Sequence, residues 1–518
     1  MKALLFVLLP AVAFAQPAVR YNDAPPKRAR PSLVESIDEL VTKVAKRERR
    51  TEPHPDARLE DAASEIARLA PERGPPPNEL VQGALWVHGI VEPPPHLILA
   101  TMGSGGEAEL LHELADDLPA VLSQGRYSRV GVGLATVGRE TRVLVALQES
   151  FVELDPIARA QPLGGLVLLR GRLRESFQRP EAFVTTPDGK VLTRSQLGGD
   201  PTHFGGTFRC GPDKGRYQVE VTGEDRFGAT VVANFPIWCG VQPAMTAQAA
   251  APAGGSDEVS ATPAAAEQAV FKLLNADRAR ARLPALQWDD KLASIARGHS
   301  SDMQLHGFFG HVSPTTGSAA DRTRKAGVDA MLILENVARA FSPGEAERGL
   351  MNSPGHRANI LNHDASRVGV GVVFDPHAKE LLVTQLFSKP PEKWDVHTAD
   401  DLRRGIAELR RTRKLKPLER DVVLDDLAQS TAREIARNGM SAQQGGKRIE
   451  YGLQSQEGRW SAVRSLFAVV AGASQVVDSL KDSLADGTVT HVGLGVEPGR
   501  RKDGGSGLFV VIVLATRR

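Results

Sequence analysis

Apolar positions along this chain follow two different periods. Between about Gly165 and Gly240 they alternate in short runs, Leu166-Val167-Leu168-Leu169, Ala182-Phe183-Val184, Tyr217-Gln218-Val219-Glu220-Val221 and Thr230-Val231-Val232-Ala233. Turn signals such as Thr186-Pro187-Asp188-Gly189-Lys190 separate them. A period of two marks strands with one face on a core, so residues 162–243 predict a small antiparallel β-sandwich. Elsewhere apolar residues recur every three to four positions before giving way to β-rich runs, which predicts helices at 271–280 and 402–411. Further helices are predicted after Leu286-Gln287-Trp288-Asp289-Asp290-Lys291-Leu292 and after Leu418-Glu419-Arg420-Asp421-Val422-Val423-Leu424. These two phrases align at a constant offset of 132.

One phrase recurs three times: Arg129-Val130-Gly131-Val132-Gly133-Leu134, Arg367-Val368-Gly369-Val370-Gly371-Val372 and His491-Val492-Gly493-Leu494-Gly495-Val496. A turn and a second apolar strand follow each copy, so each predicts a hairpin whose paired glycines let neighbouring structure come close. A weaker copy of the preceding helix lies around Leu59 to Leu69. The expected organisation is three related α+β units, at 31–155, 265–392 and 396–518, with the β-sandwich between the first and second. An Ala/Pro/Gly/Ser stretch at 244–264 reads as a flexible linker.

Compartment follows from the first residues. Met1-Lys2, an apolar run from Ala3 and the Ala13-Phe14-Ala15 cleavage phrase read as a secretory signal peptide over 1–15. No later run is long and apolar enough to span a membrane, so a secreted or periplasmic location is expected. In that oxidising setting Cys210 and Cys239 are expected to form a structural disulfide, worth about 3 to 4 kcal/mol for a loop of this length. Lys and Arg number 64 against 62 Asp and Glu, which leaves no net excess of positive charge for a nucleic acid partner.

Only the central unit gathers ionisable residues in built-looking phrases. Phe308-Phe309-Gly310-His311 places a His after an apolar pair, and Leu334-Glu335-Asn336-Val337 places a carboxylate in an apolar strand. Ser353-Pro354-Gly355-His356-Arg357-Ala358-Asn359-Ile360-Leu361 places a second His in a turn that opens a helix. A carboxylate in such a setting is costly unless paired, and His is its nearest partner. Two His held by carboxylates form a candidate site for Zn2+ or another divalent ion. Counting back from the hairpin phrase puts Leu118 and Leu480 where the second His would stand in the flanking units, and the offset of 132 puts Gln443 at the first. Both flanking units are therefore expected to be inert. Gly103-Ser104-Gly105-Gly106 reads as an ordinary turn, and the basic run from Arg403 to Lys416, including Arg410, as a solvated helix face. His299, His306, His363 and His377 read as surface or capping residues.

Together these phrases resemble the CAP superfamily of cysteine-rich secretory, antigen 5 and pathogenesis-related 1 proteins, also called the SCP domain, in its cysteine-poor bacterial form. The resemblance covers about 265–388 and implies an α-β-α sandwich with a cavity lined by two His and two Glu. His311, Glu335 and His356 match the first His, first Glu and second His. The second Glu of the family lies in a Trp-x-x-Glu phrase, where this chain has Leu350-Met351-Asn352-Ser353, and Glu345 and Glu347 are candidates to replace it. The resemblance implies lipid or sterol binding, extracellular signalling or proteolysis, and the leading expectation is a secreted ligand-binding or interaction module for a lipid, peptide or cell-wall component. The competing expectation is a metal-assisted hydrolase with Glu335 as general base on a water. A third is a structural envelope protein with a vestigial site.

Overall fold

The computed structural model describes residues 20–518 apart from 24–28, 73, 104–105, 175, 195–196, 248–261, 377–378, 391–396, 457, 471–473 and 501–505. The signal peptide expected at 1–15, most of the linker, Ser104-Gly105 and His377 lie outside the described residues. Among those described, no helix is long and apolar enough to cross a membrane.

Among the described residues, three four-stranded sheets lie outside the sandwich, all with the same strand order, beside a short pairing of Arg20–Tyr21 with Ile157–Ala158. In the central one, the short strand Gln287–Trp288 runs parallel to Arg367–Asp375, which pairs antiparallel with Glu380–Lys389, which in turn pairs with Leu332–Ala340. The N-terminal sheet orders His54–Pro55, Arg129–Val137, Glu140–Gln148 and His96–Thr101 in the same way. The C-terminal sheet does so with Glu419–Arg420, His491–Arg500, Ser506–Arg517 and Trp460–Val470. Helices cover both faces of each sheet. In the central unit Pro263–Arg280 and Pro343–Asn352 pack on one side through Val270, Leu274, Ala346 and Leu350, and Asp290–His306 packs on the other through Leu292 and Ala296.

The recurrent glycines have a physical cause. A Cβ on Gly369 would sit 2.0 Å from the Ala293 nitrogen, and one on Gly371 would sit 2.0 Å from the Arg297 nitrogen. Gly131 and Gly133 meet Leu59 and Ala63 in the same way, and Gly493 and Gly495 meet Leu424 and Ala428. Each pair lies one helical turn apart on the helix it touches, so the helix rests directly on the strand backbone. Asp56, Asp289 and Asp421 cap the N-termini of those three helices, each accepting two backbone N–H groups.

The basic run expected to be a solvated face needs one correction. Arg410 is 2% exposed and donates through Nε to the Lys416 carbonyl at 2.7 Å and through Nη1 to Leu484 at 2.8 Å and Asp486 at 2.9 Å. Arg278, 132 positions earlier, repeats this with the carbonyls of Pro284, Ile360 and Asn362. A guanidinium with five donors satisfies several carbonyls that end helices and bends, which repays its burial.

The sandwich has a five-stranded sheet, with Gly215–Asp225 and Gly228–Cys239 at its centre, and a three-stranded sheet of His203–Arg209, Leu166–Leu173 and Val152–Leu154. The Cys210–Cys239 disulfide joins the end of one sheet to the end of the other. The linker is held at both margins: Arg159 Nη2 donates to the Ala244 carbonyl at 2.7 Å, Ala247 packs in the N-terminal core, and Thr262 caps the helix Pro263–Arg280.

Candidate functional site

The helix Asp290–His306 ends at Gly307, whose φ of 60° turns the chain back on itself. The following loop wraps around the buried Asp302 carboxylate, which accepts from the hydroxyls of Ser313, Thr315 (2.8 Å) and Thr316 (3.2 Å) and contacts His306 Nδ1 at 2.8 Å. His299 supports the loop from inside. Its ring is fully buried and its Nε2 bonds the Gly310 carbonyl at 2.9 Å, so it is a core histidine and not the surface or capping residue expected. Burial lowers its pKa, against the pull of Glu335. This scaffold carries His311 to Glu335, with Nδ1 3.0 Å from Oε1. The other oxygen of Glu335 accepts from Arg322 Nη2 at 2.5 Å, and Arg322 Nη1 also ties down the Gly317 carbonyl at 2.6 Å. Burial alone would push the Glu335 carboxyl up, but the hydrogen bond from His311 and the charges of His311, Arg322 and His299 hold it below the usual carboxylate range.

His356 enters from the helix Pro354–Ile360. Asn336, the neighbour of Glu335 on its strand, donates to the His356 carbonyl at 3.2 Å and to Gln385 Oε1 at 2.9 Å, while Asn359 donates to the Glu335 carbonyl at 3.2 Å. The Glu-Asn phrase and the Ser-Pro-Gly-His phrase are thus locked together. The two imidazole centroids lie 6.3 Å apart with planes tilted by 40°. His356 stays partly open to solvent, yet desolvation, and then the charge of His311, push its pKa down to about 3. It is a neutral imidazole at physiological pH. Its Nδ1 lies 2.7 Å from the Ser353 hydroxyl.

The structure thus brings His311, Glu335 and His356 together. Glu345 and Glu347 are engaged elsewhere. Glu345 accepts from the Phe341 backbone N–H at 2.8 Å at the start of its own helix, and Glu347, buried, accepts from Gln385 Nε2 at 2.7 Å. Burial, reinforced by Asp277, pushes the Glu347 carboxyl up to about 8. The Ser353 hydroxyl donates to Glu220 of the sandwich. Among the described residues, no three His, Cys, Asp or Glu side chains converge closely enough to form a metal cage on their own.

Sheet register checks the flanking units independently of counting. Glu335 lies opposite Leu386, which also pairs with Gly369; the same position is Leu97 in the N-terminal sheet and Ser465 in the C-terminal one. Leu118 is core, Leu480 packs on an apolar cluster and Gln443 is exposed. Sequence reasoning missed Asp302, Arg322 and Glu220. Glu220 occupies a polar position of an alternating strand, and such a position reads as solvent-facing.

A profile of the cysteine-rich secretory protein (CAP) family matches residues 271–387. Two curated proteins of Bacillus subtilis (strain 168) are similar to this chain. The uncharacterized protein YkwD is 41% identical over 108 residues, which is 21% of this chain and 42% of that protein. The uncharacterized membrane protein YlbC is 40% identical over 107 residues, 20% of this chain and 31% of that protein. The match therefore spans less than half the length of either relative. Among solved structures, an extracellular protein containing a SCP domain from Bacillus anthracis str. Ames is 22% identical, covering 47% of this chain and 87% of that one, with a TM-score of 0.24.

Proposed function

Because residues 271–387 belong to the CAP family, we propose that this chain is an extracytoplasmic binding protein whose recognition site is the His311/His356 pair of its central unit. In this reading the units at 31–155 and 396–518 are inert copies of the same fold. Their shared strand order and their Leu97 and Ser465 in place of Glu335 support it. Release of a leader at 1–15 would place the protein in an envelope or extracellular space.

The observation that carries the proposal is a pair of imidazoles each held through Nδ1. Glu335 accepts from His311 Nδ1 and Ser353 faces His356 Nδ1, so neither contact occupies an Nε2 atom, and a cation would take the His311 Nε2 once that ring gives up its second proton. Imidazole nitrogens are ligands that a divalent cation such as Zn2+ takes, and these two rings stand with their centroids 6.3 Å apart. Zn2+ or a similar ion bound there would keep positions for oxygen atoms of a lipid, peptide or cell-wall ligand. The hydrolase reading is weaker on this geometry. Glu335 is saturated by Arg322 and His311 and held at a low pKa, so it orients an imidazole and makes a poor general base. Ser353 commits its proton to Glu220 and does not have the arrangement of an activated nucleophile.

Titration calorimetry of the full chain with Zn2+ tests this. One site at micromolar affinity or tighter is expected, weakened at least tenfold in both His311→Ala and His356→Ala. The absence of a Zn2+ site, or an affinity unchanged from wild type in both variants, would leave a structural protein with a vestigial pair.

A further inference from the structure

Glu220 reaches the central unit from the sandwich strand Gly215–Asp225 and is fully buried there. Its two oxygens have one donor each: Oε2 takes the Ser353 hydroxyl and Oε1 the Gly355 backbone N–H at 2.9 Å. A Cβ on residue 355 would come within 2.8 Å of Oε1, so the glycine of the Ser-Pro-Gly-His phrase is what admits the carboxylate. Ser353 owns a single proton. Once that proton goes to Glu220, the serine oxygen can only accept, and the group facing it at 2.7 Å is His356 Nδ1. His356 must then carry its proton on Nδ1 and present a bare Nε2. A second contact fixes the sandwich over the other histidine: Val312 N–H donates to the Phe227 carbonyl at 2.8 Å, Phe227 stacks on Phe308 with centroids 5.6 Å apart, and Gly228 faces the His311 Cβ.

We propose that Glu220 of the β-sandwich is a positioning residue for the histidine pair, acting through Ser353 to hold His356 as its Nδ1-protonated tautomer. The site is therefore built from two units of the chain and is incomplete in residues 271–387 alone. Glu220 does from a neighbouring unit what a carboxylate at position 353 would do directly. The His356 tautomer is set whatever the pair binds; only its consequence for affinity rests on the function proposed above.

The test is 15N NMR of histidine-labelled, metal-free full chain near pH 8, where Glu220, raised by burial to about 7, is ionised. Wild type should show His356 protonated on Nδ1. Glu220→Leu and Ser353→Ala should each move it to a mixture with the Nε2-protonated form. Glu220→Leu replaces a buried charge with an apolar side chain of similar size and is expected to fold, so it decides the matter if Ser353→Ala does not. In the same variants Zn2+ affinity should fall roughly ten- to a hundredfold. An Nε2-protonated His356 in wild type, or an unchanged tautomer in folded variants, would overturn the proposal. If wild type takes no Zn2+, the binding reading fails while the tautomer measurement still stands.

Discussion

Arg278 is 1% exposed, and its guanidinium holds three carbonyls, those of Pro284, Ile360 and Asn362, at 2.7 to 2.9 Å. Removing it would leave buried acceptors without partners, each costing about 1 to 3 kcal/mol. Arg278→Met should therefore destabilise the central unit by about 3 kcal/mol or more in urea unfolding. Arg278→Lys should recover only part of the loss, because an ammonium cannot fork between carbonyls on different segments. Equal stability of wild type and the Met variant would mean that water replaces the guanidinium. The twin residue Arg410 shows why this role was not legible beforehand. It lies in a run of seven basic residues whose spacing fits a solvated face, and nothing in the run marks which cation turns inward. Glu220 was hidden for a related reason. Alternation along one strand tells which residues leave their own core, but a side chain leaving one core can enter another.

At the scale of elements much more was readable, because contact between a helix and a strand backbone leaves a compulsory trace. The Val-Gly-Val-Gly phrase exists where any Cβ would collide with the adjoining helix, and the sheets built on it share one order. The hairpins at 367–389 and 491–517, the helices beside them and the Asp caps all follow from this constraint together with apolar periodicity. The strand that carries Glu335 was legible as a phrase, whereas the loop that carries His311 was not. Its shape comes from hydroxyls converging on Asp302 across more than ten residues, and such convergence has no period. In Gly371→Ala the new methyl would need the Arg297 nitrogen to retreat from 2.0 Å to ordinary contact, which requires the helix Asp290–His306 to lift. A loss of about 3 kcal/mol is expected, at the upper end for overpacking. Gly298→Ala, with open space around the new methyl, serves as the matched control and should be neutral or mildly stabilising. Similar melting of the two variants would refute the close-contact account.

For the whole molecule, the question is whether the sandwich spaces the units or forms part of the site. Its core joins two sheets that meet at the Cys210–Cys239 disulfide, across a sequence separation of 29 residues. Closing a loop of that size restricts the unfolded chain by about 3 to 4 kcal/mol. The same unit carries Glu220 to Ser353, the Asn234 amide to the Asn352 carbonyl at 3.4 Å, and the Phe227 carbonyl to the Val312 N–H. Arg357 Nε in turn reaches back to the Gly189 carbonyl at 3.1 Å. Destabilising the sandwich should therefore be felt at His356, although the central unit has its own helices and sheet. In Cys210→Ala/Cys239→Ala the sandwich should melt at a lower temperature than in wild type. The His356 ring signals should change with that first transition, ahead of the loss of the helical signal of the central unit. A mere spacer would melt early and leave His356 untouched until the central unit itself unfolds. Early melting accompanied by a change at His356 is the outcome that a site shared between two units requires.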